Sequence, residues 1–184
     1  MLFVFFIITV MADSVFKERT NGAIRRLRAA PVGKGAIVLG KLVPFYFINL
    51  VQVASMFAVA RLAFGMDLMN VPALVVLTLC LSLAATGMGI MITSLAKTLT
   101  QAASLGAILS LTLGALGGAM VPAFIMPDWM QAVGRVAPQA WAIRAYQDVL
   151  VRGRGVTEIL LEAGVLLAFA AVFTTVGAWR FRFS

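Results

Sequence analysis

Charged residues occur along this chain in clusters, and between the clusters lie long stretches with no charge at all. The uncharged runs span residues 42–60, 68–96, 98–127 and 163–179. A helix rises about 1.5 Å per residue, so some 20 apolar residues cross a hydrocarbon layer roughly 30 Å thick. The pattern therefore predicts spanning helices over about 36–63, 71–96, 101–121 and 157–179. A fifth apolar segment, 1–16, carries only Asp13 as a charge. It lacks the basic leading region and small-residue cleavage site of a secretory signal. It reads as the tail of a spanning helix, and on that reading the chain lacks the start of its first helix. The expected fold class is all-α: a polytopic membrane protein, 1–184 forming one transmembrane domain of about five helices. No internal repeat of the solenoid kind recurs.

The segments between the runs have distinct characters. Residues 17–35 are basic and end near Pro31. Residues 67–70 form a short turn, and 97–101 another. The fourth run is broken by Gly117, Gly118 and Pro122. An external segment, 122–156, then carries Pro127 and Pro138, each just ahead of a plausible short helix, with Gly134 loosening the end of the first. Trp129, Trp141 and Tyr146 place amphipathic rings where a headgroup layer would lie. Trp129, Pro138 and Trp141 are candidates for an external gate built of re-entrant or interfacial helices, and a loop floating on the bilayer explains the same residues.

Composition agrees with the pattern, at 62% hydrophobic and 12% charged residues. Charge adds orientation. With alternating crossings, Lys17, Arg19, Arg25, Arg26, Arg28, Lys34 and Lys41 share a side with Lys97, Arg180 and Arg182. The opposite side holds Arg61, Arg135, Arg144, Arg152 and Arg154, balanced by Asp67, Asp128, Asp148, Glu158 and Glu162. The first set is expected to be cytoplasmic. A net charge of +8 is explained by this topology without invoking nucleic acid. The absence of histidine removes the commonest general base, and the lone Cys80 excludes an intrachain disulfide. No metal-ligating cluster and no catalytic constellation is visible.

Further features are informative. Residues 35–41 match the Gly-x4-Gly-Lys part of a phosphate loop, but Leu42 stands where Ser or Thr must ligate magnesium, and the stretch opens a hydrophobic span. Ala102, Gly106, Ser110, Gly114 and Gly118 recur every fourth residue, a stripe for close helix packing within one subunit or between two. Asn49 and Gln52 lie within an apolar run, where amides line a polar path or make packing hydrogen bonds. Glu158 and Glu162, four apart, are expected to be neutralised by Arg152 or Arg154, with cation attraction as the alternative. In residues 16–32, Thr20 or Asn21 can cap a short helix with Ala23, Ile24 and Leu27 on one side and Arg25, Arg26 and Arg28 elsewhere. Such a helix can anchor on anionic lipid or dock a partner.

Glu18, Gly22, Leu27, Pro31 and the Gly40-Lys41 pair, followed by Pro127-x-Trp129, Pro138, Trp141 and Gly153, resemble the ABC-2 type transporter permeases over nearly the whole chain. Members have six spanning helices per subunit, and on this resemblance the first is expected to be missing from the sequence. The resemblance implies a permease subunit of an ATP-binding cassette exporter, paired with a second permease as a homo- or heterodimer in a plasma membrane of the bacterial inner-membrane kind. ATP and magnesium would be bound by a separate ATPase subunit, with no cofactor held directly and no enzyme activity in this chain. The segment 18–30 resembles the family's coupling helix, with Glu18, Arg19, Arg25 and Arg26 as polar contacts to the ATPase and Ile24 and Leu27 as apolar ones. Few polar groups in the spans favour drug-like or lipid-like cargo. A proton- or ion-coupled secondary transporter is the alternative, but it would show ionisable residues at mid-membrane and often an internal repeat.

Overall fold

A computed structural model describes residues 2–21, 33–120 and 125–180 of the chain. Every regular element among them is helical. In chain order they are α1 (Leu2–Phe5), α2 (Ile7–Thr20), α3 (Lys34–Phe64), α4 (Val71–Leu95), α5 (Leu99–Leu116), α6 (Asp128–Gly134), α7 (Pro138–Arg152), a 3-10 turn (Val156–Ile159) and α8 (Leu160–Arg180). Among the described residues, α3, α4, α5 and the 3-10 turn continued by α8 are long and apolar enough to cross a membrane. The segment α1–α2, interrupted by a turn at Phe6, buries Val4, Phe5, Ile8, Met11, Ala12, Val15 and Phe16 and so packs as a member of the bundle.

Local chemistry sets the helix ends. The Asn70 side chain accepts a hydrogen bond from the Ala73 amide (3.3 Å) at the start of α4, with Pro72 in the first turn. Thr98 caps α5 by accepting from the Gln101 amide (3.2 Å), while the Gln101 side chain accepts from the Lys97 amide (2.9 Å). α3 and α7 both stop at glycines in the left-handed region, Gly65 (φ 63) and Gly153 (φ 66). α3 runs through Pro44 for 31 residues, about 46 Å of helix, more than a perpendicular crossing needs.

α4 is the hub. Of its most apolar stretch 67% is buried, against 17% for α3 and 22% for α5 and for the last span, so the other helices pack around it and turn their remaining faces outward. Its principal partner is α8. A Cβ on Gly87 would lie 2.9 Å from Thr174 Oγ1 and 3.1 Å from the Ala170 carbonyl, and one on Gly177 would lie 2.7 Å from Ile90 Cγ2 and 2.9 Å from the Met91 amide nitrogen. The two backbones thus touch at two points whose residue numbers rise together, and the helices run parallel.

That pairing fixes which ends of the molecule coincide. Lys97, beyond the end of α4, shares an end with Arg180. α2 finishes there too, because Ala12 and Phe16 cluster with Ala96 and Ala102. At the opposite end Gly155 lies beside Asn70, and Gly153 beside Met69. The two charge sets separated by alternating crossings therefore occupy opposite ends wherever their residues are described.

Some boundaries differ from expectation. α2 continues past Phe16 to Thr20, so Glu18 and Arg19 belong to its last turn. The (i, i+4) pair of Asp13 with Lys17 (2.6 Å) supports the extension, and no helix breaker precedes Gly22. Thr20 ends α2, and the Asn21 amide donates to the Lys17 carbonyl (2.9 Å); the short helix that either residue was expected to cap lies outside the described residues. The 3-10 turn and α8 begin near the expected 157, and α5 closes at Leu116, with Gly117 as its cap, short of the expected 121.

Candidate functional site

Two regions at opposite ends of the bundle collect the candidate residues. At the Lys97 end, the Glu18 carboxylate on the last turn of α2 pairs with Lys41 on the second turn of α3. Both side chains are largely shielded, at 32% and 17% exposure, so the pair is more than a solvated contact. It ties together the two helices that flank residues 22–32. Ile24, Arg25, Arg26 and Leu27 lie outside the described residues, as does the Arg19 side chain. Glu18 thus has a partner within the chain. The stretch 35–42, whose glycine spacing imitates a phosphate loop, is α3 itself, and its amides beyond the first turn serve the helix.

Along α3, Val38, Leu42, Phe45, Asn49 and Val53 form one narrow buried stripe. Asn49 is fully buried in that stripe, and neither amide atom finds a hydrogen-bond partner among the described residues. Gln52, nearly one turn on, is half-buried. The structure sets Asn49 inside the packed face of the bundle, and Gln52 at its margin. On α5, Ala102, Gly106, Ser110 and Gly114 share the buried face, and a Cβ on Gly106 would lie 2.7 Å from Ile8 Cγ2. The small-residue stripe faces α2 of the same chain there. Gly118, past the end of α5, has φ 90 and belongs to the turn that leaves it.

At the other end, α5 is 18 residues and α4 is 25, so from the Lys97 end that they share α5 stops about 10 Å short of the level where α4 begins. α6 and α7 occupy the space above it. A Cβ on Gly134 would run into the Leu116 carbonyl, and one on Gly117 would lie 2.9 Å from both the Ala140 amide nitrogen and Gln139 Cβ. Glycine-enabled contacts are therefore made where α5 ends, α6 ends and α7 begins. Pro138 opens α7 and is buried. The Trp141 indole N–H donates to the Arg135 carbonyl (2.8 Å), fastening α7 to the α6–α7 turn. Trp129 is two-thirds exposed on α6. Of the three candidate gate residues, Pro138 and Trp141 belong to this plug and Trp129 projects from it.

α7 is held to α4 by Tyr146. Thr78 Oγ1 donates to the Leu74 carbonyl (2.7 Å), so the Tyr146 hydroxyl is the donor in its 2.8 Å bond to Thr78. Burial pushes the Tyr146 hydroxyl up from its ordinary pKa and keeps that proton in place. The Tyr146 ring also packs on Phe57 of α3, 5.5 Å between centroids.

Sequence reasoning did not find the role of Asp148. Its buried carboxylate receives Arg152 and, at 2.8 Å, Arg154. The left-handed turn at Gly153 folds the chain back, so the Arg154 amide also donates to the Asp148 carbonyl (3.2 Å). This corrects the expectation that Arg152 or Arg154 neutralises Glu158 and Glu162. Asp148 is one helical turn before Arg152 and captures both arginines, while Glu158 accepts from the Gly155 amide (2.8 Å) to start the next helix. The (i, i+4) spacing of Asp148 and Arg152 was the available signal for the first contact, while Arg154 joins only through the turn at Gly153.

The family described as ABC-2 family transporter protein matches residues 1–179. The linearmycin resistance permease protein LnrN of Bacillus subtilis (strain 168) is 30% identical over 181 residues, covering 98% of this chain and 47% of its own length. The inner membrane transport permease YhhJ of Escherichia coli (strain K12) is 25% identical over 177 residues, covering 95% of this chain and 47% of its own. ABC transporter G family member 20 of Dictyostelium discoideum is 24% identical over 149 residues, 80% of this chain and 20% of its own. The chain spans about half the length of LnrN and YhhJ. No solved structure gives a significant match.

Proposed function

The chain belongs to the ABC-2 family of transporter proteins, and from that premise we propose that it serves as the permease part of an ATP-binding cassette exporter, driven by a separate ATPase subunit. The observation that carries this reading is the family match along residues 1–179, together with the Glu18–Lys41 pair that brackets residues 22–32. On this reading the Lys97 end faces the cytoplasm, as the basic side of an inner membrane does. The ATPase seats on residues 18–30, with Glu18, Arg19, Arg25 and Arg26 near the polar contacts and Ile24 and Leu27 at the apolar ones. ATP and magnesium reside in that partner.

Coupling needs the ATPase to bind one permease conformation better than another, and a rigid link from the docking segment to the spans transmits the difference. The Glu18–Lys41 pair is suited to that link because a displacement of the segment moves α2 and α3 together. At the far end, the α6–α7 plug over α5 is placed to control release. A second permease subunit completes the pathway, and Asn49 and Gln52 are its candidate polar lining. The name of LnrN refers to resistance to linearmycin. Together with the apolar spans here, this favours a drug-like or lipid-like cargo.

The test is substitution of Leu27 by Asp in the complete transporter. Association with the ATPase and ATP turnover are both expected to fall, with the membrane bundle still folded. Unchanged association and unchanged turnover remove the docking assignment.

A further inference from the structure

Between α3 and α4, toward the Gly65 end, lies an apolar hollow of about 370 Å³ lined by Leu50, Ala54, Phe57, Ala58, Leu74 and Thr78, among others. It falls within the volume range of small-molecule sites, roughly 300–1,000 Å³. Ala54 and Ala58 create the space, because larger residues flank them on the same stripe. Its wall is made rigid from behind by the Phe57–Tyr146 ring contact and the Tyr146–Thr78 hydrogen bond. The Thr78 hydroxyl is occupied by Leu74 and Tyr146, so the lining offers hydrocarbon and no free hydrogen-bonding group from that residue. An occupant must therefore be apolar where it enters.

Arg61 extends the lining stripe of α3. Residues 50, 54, 57, 58 and 61 recur at helical spacing, and helical side chains lean toward the preceding turn, so Arg61 stands over the outer end of the hollow. It is exposed, forms no ion pair among the described residues, and is the only Lys or Arg in the sequence between Lys41 and Lys97. A slot of hydrocarbon ending at one unpaired cation, both on spanning helices, has the chemistry of a lipid with an anionic headgroup. A second copy seated on the same stripe about a twofold axis along the membrane normal would bring another Arg61 to the same level, setting like charges together.

We propose that the α3–α4 hollow holds one acyl chain of an anionic membrane phospholipid, with its phosphate at Arg61. The lipid is a resident of the fold rather than cargo. It fills a gap between the hub helix and its most exposed neighbour, and it lies apart from the docking segment at the Lys97 end.

The full-length polypeptide is placed in nanodiscs of phosphatidylglycerol and phosphatidylcholine, with a photoactivatable diazirine in the acyl chain of one or the other, and labelled peptides are mapped by mass spectrometry. Labelling is expected to concentrate on residues 50–58 and 74–79 and to be stronger from phosphatidylglycerol. Ala54→Trp, and independently Ala58→Leu, should remove that labelling and leave labelling of the outward face of α5 unchanged. Arg61→Gln should lower labelling by phosphatidylglycerol about fivefold, the equivalent of the ~1 kcal/mol gained by one cation near anionic headgroups, and lower labelling by zwitterionic phosphatidylcholine less. Labelling no denser in the hollow than on α5, or indifferent to these three substitutions, overturns the proposal. So does Ala54→Cys forming an intermolecular disulfide in the membrane, which would give the hollow to a second copy.

Discussion

Gly177 illustrates how much a single missing side chain can decide. Its Cβ position lies 2.9 Å from a backbone nitrogen of α4, and backbone at a helix crossing cannot swing aside as a flexible side chain can. Gly177→Leu should cost about 1–3 kcal/mol through overpacking, seen as a lower midpoint in thermal unfolding of the purified protein in detergent. Gly164, with open space around its Cβ position, should accept Ala without loss. Tyr146→Phe removes one hydrogen bond while Thr78 still donates to Leu74, so the cost belongs at the low end of about 0.5–1.5 kcal/mol on the same assay. Individual residues are the least legible level of the sequence. Asn49 in an apolar run signals either the lining of a polar path or a packing hydrogen bond, and the structure buries it with no partner among the described residues. The spacing of Asp148, Arg152 and Arg154 does not declare itself as one cluster, because its closure depends on a left-handed turn at Gly153 that residue charges do not reveal.

At the level of elements, the Glu18–Lys41 pair yields the sharpest expectation. Its members come from two helices separated by the proposed docking segment, so exchanging the charges keeps the attraction and single reversals replace it with repulsion. Glu18→Lys alone and Lys41→Glu alone should both depress ATPase turnover of the assembled transporter, and the double exchange should restore most of it. Equal loss in all three variants would mean that Glu18 acts on the ATPase itself. The helices are legible because apolar runs and flanking charges mark them directly, and the starts of α4 and α5 follow from Asn70, Pro72 and Thr98. Their ends are harder. α2 outlasts its apolar run since Lys17, Glu18 and Arg19 are all acceptable helix formers. α5 stops early because Gly117 is used for close approach to α7, a tertiary reason invisible in a hydropathy pattern.

For the whole molecule, the parallel pairing of α4 with α8 places Lys97 and Arg180 at one end and Asn70 and Gly155 at the other. A membrane-impermeant maleimide added to intact cells should label Asp67→Cys and Trp129→Cys and leave Lys97→Cys and Arg180→Cys unlabelled until the membrane is opened. Native Cys80 is buried and should stay silent. The reverse pattern would invert the orientation and with it the docking of an ATPase on residues 18–30. Alternation of crossings and the charge balance foresee which residues share an end. The choice of α4 as hub is not foreseeable, since its composition differs little from that of α8, and only the matched positions of Gly87 and Gly177 select the partner.

The same pairing has a bearing on how the protein is made. α4 leaves the ribosome long before the helix that covers it, because α5, α6, α7 and the whole of α8 are synthesised between Leu95 and Arg180. At translation rates of about 5–20 residues per second, the glycine seam of the central helix waits roughly 4–17 s for its match. During that interval insertion machinery or lipid must occupy the seam, and a nascent chain stalled before α8 is a natural substrate for membrane quality control.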